Sequence, residues 1–205
     1  VVRDPDELHD ALLTLIWVPE ECAPHWSPHL SALIETGRAR GVRVRNGEQE
    51  TRGWIVTERG TAIAAVFPDA EWSPAKVAMA GEPVPERDEA IAAIVQGWME
   101  STGPTTAGEL AGKLCLAVAD VEAALFRLEA QGQVLWGQFR DSSAPYPLPL
   151  TPSVEWCDRR LLARIHRLTI GRLRKEVEPV TGVDFMRFLF RWQHLTPRAR
   201  LLREG

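Results

Sequence analysis

Residues 106–139 read TAGELAGKLCLAVADVEAALFRLEAQGQVLWGQF, and the signals inside them set the order of the elements around them. Thr105 or Thr106 can cap a helix, and Glu109, three residues beyond Thr106, supplies the second half of a capping box. Behind that cap Leu110, Ala111 and Leu114 fall on one face of a short helix. From about Ala119 to Gln131, Val121, Leu125 and Leu128 recur at helical spacing, and Gly132 ends the run. Val134, Trp136 and Phe139 then suggest a strand, turned by the proline-rich YPLPLTP at 146–152. Just upstream, Ala90, Ile91, Ile94, Val95, Trp98 and Met99 mark a further amphipathic helix that stops at Gly103-Pro104.

Helix, short helix after TxxE, helix, glycine, strand is the order of a winged helix-turn-helix, expected here over residues 86–148. In such modules the third helix and the hairpin approach DNA. This copy fits that role poorly. Its third helix presents Asp120, Glu122 and Glu129 against Arg127, a face that repels phosphate, so a structural role is expected for it. The approach left open is through Gln133, Gln138 and Arg140. A fold that often binds DNA does not oblige every copy to do so.

Working outward, prolines 68, 74, 83 and 85 with Gly81 make residues 68–85 a Pro-rich linker. Residues 1–67 before it read as another winged-helix-like module. Asp4-Pro5 opens a helix carrying Leu8, Leu12, Leu15 and Ile16, a second helix runs from Trp26 to Thr36, and Gly37 stops it. Val42 and Val44 then alternate with arginines, Asn46-Gly47 supplies turn chemistry, Gly53 to Val56 return, and Glu58 to Phe67 close the unit as a short helix. Residues 149–205 read as the helical part of a third module that looks truncated, since no strand pair follows. One helix there puts Leu161, Leu162, Ile165, Leu168 and Leu173 opposite a basic stripe. The next, started by Thr181 and Asp184, carries Phe185, Met186, Phe188, Leu189, Phe190 and Trp192 nearly all round and is expected to be buried. The expected fold class is therefore mainly α with small β-hairpins (α+β), as tandem winged-helix modules plus helices of a further one.

The 205 residues are 45% hydrophobic, enough for compact folding, and their net charge of -4 conceals a division. Residues 1–154 hold 12 Lys and Arg against 22 Asp and Glu, whereas 155–205 hold 12 against 6. Opposite signs at the two ends suggest that one end meets an anionic surface. Three cysteines without CxxC spacing argue against a disulfide framework, and no apolar run reaches the ~20 residues of a membrane span. The expected location is the cytoplasm, with no membrane partner.

Two arginine groups are the candidate nucleic-acid contacts. Arg38, Arg40, Arg43, Arg45 and Arg52 crowd the first hairpin, with Glu48, Glu50 and Glu58 among them. Arg160, Arg164, Arg167, Arg172, Arg174 and Lys175 form the longer stripe, with fewer acids nearby. Guanidinium contacts to phosphate supply much of nucleic-acid affinity. The plainer alternatives are a solvated hairpin with local ion pairs and, for the stripe, an acidic protein surface. Cys22, His25 and His29 lack a fourth ligand at zinc spacing, and Asp4, Asp6 and Asp10 suit an acidic helix start better than a metal cluster. His166 and Cys157, nine residues apart on the expected helix, fall on different faces. No nucleophile, base or paired-carboxylate set can be assembled from one sequence. The eight tryptophans are expected in packing, although one such as Trp72 could stack on a base.

VVRDPDELHDALLTL at the start, the 106–139 block and EWCDRRLLARIHRLTIGRLRKEVEPVTGVDFMRFLFRWQHL at 155–195 resemble the C-terminal extension of the bacterial large helicase-related (Lhr) family. The last block is the most specific, through Trp156-Cys157-Asp158, Arg159-Arg160-Leu161-Leu162 and Arg191-Trp192-Gln193-His194. The resemblance implies an ATP-driven DNA translocase for DNA repair, whose motor precedes tandem winged helices and a β-barrel. That extension is similar in fold to certain alkylation and crosslink DNA glycosylases, and glycosylase activity is associated with the family. No GxxxxGK[ST] loop or DExH box occurs here, so ATP and Mg would belong to the motor and no cofactor is expected in this chain. The expected role is a non-catalytic DNA-binding fragment, with single-stranded or duplex DNA and the other helicase domains as partners. The alternatives are an interdomain or homo-oligomerisation scaffold and part of a DNA-base glycosylase module.

Overall fold

The computed structural model describes residues 2–47, 49–73, 83–140, 154–176 and 179–195. Within them the chain is α+β and mainly helical, with two small antiparallel sheets. It divides into two units, Val1–Ala163 and Arg164–Gly205.

Helix α1 (Pro5–Leu15) starts where expected: Asp4 Oδ1 accepts the Glu7 N–H at 2.8 Å, and Pro5 fills the first turn, where no donor is missed. Leu8, Leu12 and Leu15 turn its buried face inward. The helix ends abruptly at Ile16, whose φ of 64° and ψ of -51° make a γ-turn in which the Trp17 N–H donates to the Leu15 carbonyl at 2.7 Å. A β-branched residue in that conformation costs about 1–3 kcal/mol. The turn delivers Trp17, fully buried, and β1 (Val18–Pro19) into the interior.

Helix α2 (Ser27–Glu35) leads through Gly37, at φ 74°, into β2 (Ala39–Asn46) and β3 (Gln49–Val56). Their register runs from Ala39 opposite Val56 to Asn46 opposite Gln49, and Gly47 turns the hairpin at φ 60°. Helix α3 (Gly60–Val66) follows and buries Ile63 and Val66. The linker expected over 68–85 does not begin at Pro68, because Glu71–Ser73 form β4, paired with β2 through Val42 opposite Trp72. Breaker residues mark where regular structure is interrupted; a three-residue edge strand fits between two of them. The sheet order is β1-β3-β2-β4.

Helix α4 (Arg87–Met99) buries Ala90, Ile91, Ile94, Val95, Trp98 and Met99, all read from the sequence. Thr105–Thr106 form β5 and α5 (Ala107–Leu114) carries the expected capping box: Thr106 Oγ1 accepts the Glu109 N–H at 3.1 Å and Glu109 Oε2 accepts the Thr106 N–H at 2.8 Å. Helix α6 (Val118–Ala130) packs on α4 and α5 through Val121, Leu125 and Leu128, and Gly132, at φ 71°, releases the chain into β6 (Val134–Gly137). The stretch expected to be helical from residue 155 opens instead with β7 (Glu155–Asp158), which joins the second sheet in the order β5-β7-β6 with Trp156 opposite Trp136. Buried Glu155, Trp156 and Cys157 hold it there, a burial that helical periodicity did not reveal.

The two sheets and their helices share one body. The Trp17 indole N–H donates to the Leu114 carbonyl at 3.1 Å, and the Trp98 indole N–H donates to the Trp17 carbonyl at 2.9 Å. Gln49 at the hairpin tip donates through Nε2 to the Gly112 carbonyl at 2.9 Å, and the thiol of Cys115, a residue at φ 58°, donates to the Gln49 carbonyl. Gly97 sits so close to α1 that a Cβ there would lie 1.9 Å from the Thr14 carbonyl oxygen.

Helix α7 (Arg159–Glu176) begins beside Asp158, whose Oδ1 accepts the Leu161 N–H at 2.8 Å. In the second unit α8 (Gly182–Trp192) has the expected Thr181 cap, accepting the Asp184 N–H at 3.2 Å. Its expected burial is not found: Phe185 is 51% exposed, Phe188 57% and Trp192 68%. An all-round apolar sequence states a demand for cover, and among the described residues no residue of α8 is buried. Among the described residues, no helix is long and apolar enough to cross a membrane.

Candidate nucleic-acid interface

The first hairpin was expected to offer five arginines to phosphate, and its geometry commits most of them elsewhere. Arg38 Nη1 lies 2.6 Å from Asp6 Oδ1. Arg43 and Arg45 share two carboxylates: Arg43 reaches Glu50 at 3.4 Å and Glu71 at 3.0 Å, and Arg45 reaches the same pair at 3.0 and 3.2 Å. The hydrogen bond from Arg45 holds the Glu50 carboxyl below its ordinary range, and Glu50 in turn raises Arg45. Arg40 is buried, and its Nη1 has no hydrogen-bond partner among the described residues. Only Arg52 is exposed with no carboxylate within ion-pair distance among the described residues. Local ion pairs were the alternative the sequence left open, with Glu50 named among the acids; the part of Glu71 was missed because it lay in the expected linker and is brought across by β4.

The second sheet and its helices show the same pattern. Arg140, left open as a wing contact, bridges Glu109 at 2.9 Å and Glu155, whose carboxylate also accepts the backbone N–H groups of Phe139 and Arg140 at 2.7 and 2.8 Å. The Arg140 guanidinium, helped by the Thr106 N–H, pulls the Glu109 carboxyl down to about 2. For Glu155, burial acts upward, but the Arg140 N–H, its guanidinium and the Phe139 N–H outweigh it, and the net shift is downward. Asp120 on α6 is taken by Arg87. Because Glu109 has its folded pKa depressed, the stabilisation exists above the ordinary carboxyl value of 4.5 and is lost as pH falls through about 2. The urea midpoint of the native chain is therefore expected to drop more steeply across that window than that of Glu109→Gln. Parallel pH profiles would show that the bridge contributes nothing.

Helix α7 is different. Arg160, Arg164, Arg167 and Arg174 recur at intervals of four, three and seven residues, and with Lys175 they are all exposed. Arg172 is the exception, donating through Nε to Glu176 at 2.9 Å. Among the described residues the other five have no carboxylate within ion-pair distance. The stripe from Arg160 to Arg174 is about 21 Å long at the α-helical rise of ~1.5 Å per residue. The two arginine groups thus differ in character: three of the first five are held by carboxylates, whereas of the second group only Arg172 is, among the described residues. His166 stands exposed on α7, and Cys157 is buried in β7. No cluster of metal-ligating side chains occurs among the described residues.

Set beside known proteins, residues 3–179 match the family described as DNA glycosylase AlkZ-like. A protein of Mycolicibacterium smegmatis (strain ATCC 700084 / mc(2)155) named Lhr helicase/probable uracil glycosylase is 28% identical over 102 residues. That match covers 50% of this chain and 6% of the relative. The family match overturns the expectation of a non-catalytic chain, since the family is one of enzymes. The absence of motor motifs had been taken as the absence of catalysis, but a glycosylase needs neither a phosphate-binding loop nor a DExH box. A DNA partner and a place in DNA repair accord with the same match.

Proposed function

This chain belongs to the AlkZ-like DNA glycosylase family, and from that premise we propose that it is the DNA-engaging glycosylase module of a helicase-related repair protein. It hydrolyses the bond between a damaged base and its sugar, and the unpaired cations of α7 hold the phosphate backbone while that base leaves the stack. The observation that carries this reading is the exposed stripe of Arg160, Arg164, Arg167, Arg174 and Lys175, which have no carboxylate partners among the described residues. Residues 1–67 and 86–148 are read as winged-helix modules, a reading that the element order around the capping box supports. The name of the mycobacterial relative supports placing this chain beside a helicase motor, and any ATP and Mg would belong to that motor.

Salt dependence tests the contact. Each phosphate neutralised contributes a log-log slope of about -0.9 on duplex DNA, so Arg164→Gln combined with Arg167→Gln should flatten the slope by roughly 1.8. An unchanged slope would remove α7 from the interface. The reaction is tested by incubating the chain with uracil- and alkyl-containing oligonucleotides; strand breaks after alkali are expected, and their absence counts against catalysis.

The exposed apolar α8 favours a second reading, in which this region is an interdomain or homo-oligomerisation scaffold. Light scattering decides between them: an oligomer lost on Arg160→Glu with Arg164→Glu, while DNA binding persists, supports the scaffold.

A further inference from the structure

The first sheet holds a cavity of ≈ 450 Å³ that the α7 stripe has no part in, bordered by Trp54, Arg43, Arg52, Glu71, Glu20 and Ser73. Its size falls in the range of roughly 300–1,000 Å³ typical of small-ligand sites. Register explains its chemistry. Arg43 is paired directly with Arg52 on one side and with Glu71 on the other, so the three share a face, and Trp54 joins that face two residues beyond Arg52. Opposite Trp54 stands Gly41, where a Cβ would lie 3.4 Å from the indole Cζ3. The missing side chain lets the indole lie across the strand as an aromatic wall.

Two guanidinium groups and two carboxylates stand around that indole. A simple anion would meet Glu20 and Glu71, and a simple cation would meet Arg43 and Arg52. An uncharged planar ring with donors and acceptors along its edge suits both kinds of group and has a π-face for Trp54. Nucleobases have this character, and base–aromatic stacking tolerates any of them. Arg52, exposed and without a carboxylate in reach among the described residues, is left for an adjoining phosphate.

We propose that this cavity takes one nucleobase of single-stranded DNA, stacked on Trp54, with the neighbouring phosphate on Arg52. The strand must be single because a base inside a duplex has its faces covered. The proposal rests on the reading that the chain binds DNA, and it adds a second contact, made by residues other than those of α7, that reads base presence rather than charge.

The test measures fluorescence anisotropy at low salt with two labelled strands of equal length, one of deoxyadenosines and one of abasic residues. The native chain is expected to bind the base-bearing strand about tenfold tighter. Trp54→Leu should bring that ratio to about one while binding of the abasic strand is kept. Ser73→Ile, which fills part of the cavity with an aliphatic side chain from an exposed edge-strand position, should do the same if the indole replacement unfolds the sheet. Arg164→Gln with Arg167→Gln should weaken both strands and leave the ratio intact. A native chain that binds both strands equally, or a ratio that survives in folded Trp54→Leu or Ser73→Ile, overturns this site alone. A native chain that binds neither strand overturns the DNA reading and this site with it.

Discussion

Replacing Trp17 with alanine is expected to lower the free energy of unfolding by about 3–5 kcal/mol, the usual cost of deleting a large buried aromatic side chain. The side chain is fully buried, its ring lies 6.2 Å from that of Phe67, and its N–H satisfies the Leu114 carbonyl. Alanine leaves both a void and an unpaired acceptor, and an unsatisfied buried polar group costs about 1–3 kcal/mol by itself. Domains of this class are stable by only about 5–15 kcal/mol, so the variant should sit near the unfolding threshold. Trp17→Phe keeps much of the ring but not the donor, and should fall between. Urea titration reads both. A loss below about 1 kcal/mol for Trp17→Ala would mean that the joint between the sheets is loosely packed.

Gly97→Ala should also destabilise, against the rule for its position. Gly97 is in the interior of α4, where glycine is about 1 kcal/mol worse than alanine; propensity alone therefore favours the substitution. Contact reverses the sign. The added Cβ would lie 1.9 Å from the Thr14 oxygen and 2.9 Å from the Thr14 carbonyl carbon, which are backbone atoms that no rotamer change can move. Relief requires α4 and α1 to separate, and overpacking of this kind costs typically 1–3 kcal/mol and occasionally more. A net loss of about 1–3 kcal/mol or more in the unfolding free energy from urea titration is expected; a gain in stability would show that the helices do not approach this closely.

Much of this fold can be read from sequence where the signal is local. The Thr106–Glu109 box, the Asp4 and Thr181 caps, and glycines 37, 47 and 132 depend on neighbours a few residues away, and each is found in its place. What escaped depends on partners distant in the chain. Strand β7 is defined by pairing with β5 and β6, and β4 by pairing with β2. The hairpin arginines show the same limit: composition announced a cationic cluster, but whether Arg43 and Arg45 are free is decided by Glu71, 28 residues on from Arg43. The α7 stripe was legible because a helix arranges its own charges. Catalysis was misjudged for a different reason, since motor motifs speak only about the motor. Trp54 gave no signal at all, because its setting depends on Gly41 across the sheet.

The seam between the two sheets limits where the chain can be divided. Composition invites a cut in the proline-rich stretch, but a fragment ending at Ser73 would strand the indole N–H of Trp17 and the amide of Gln49, whose acceptors belong to Leu114 and Gly112. It would also bare the flank of α1 that Gly97 covers. The first sheet is therefore not a freestanding cassette: expression boundaries, and any exchange of parts between relatives, have to keep both sheets together.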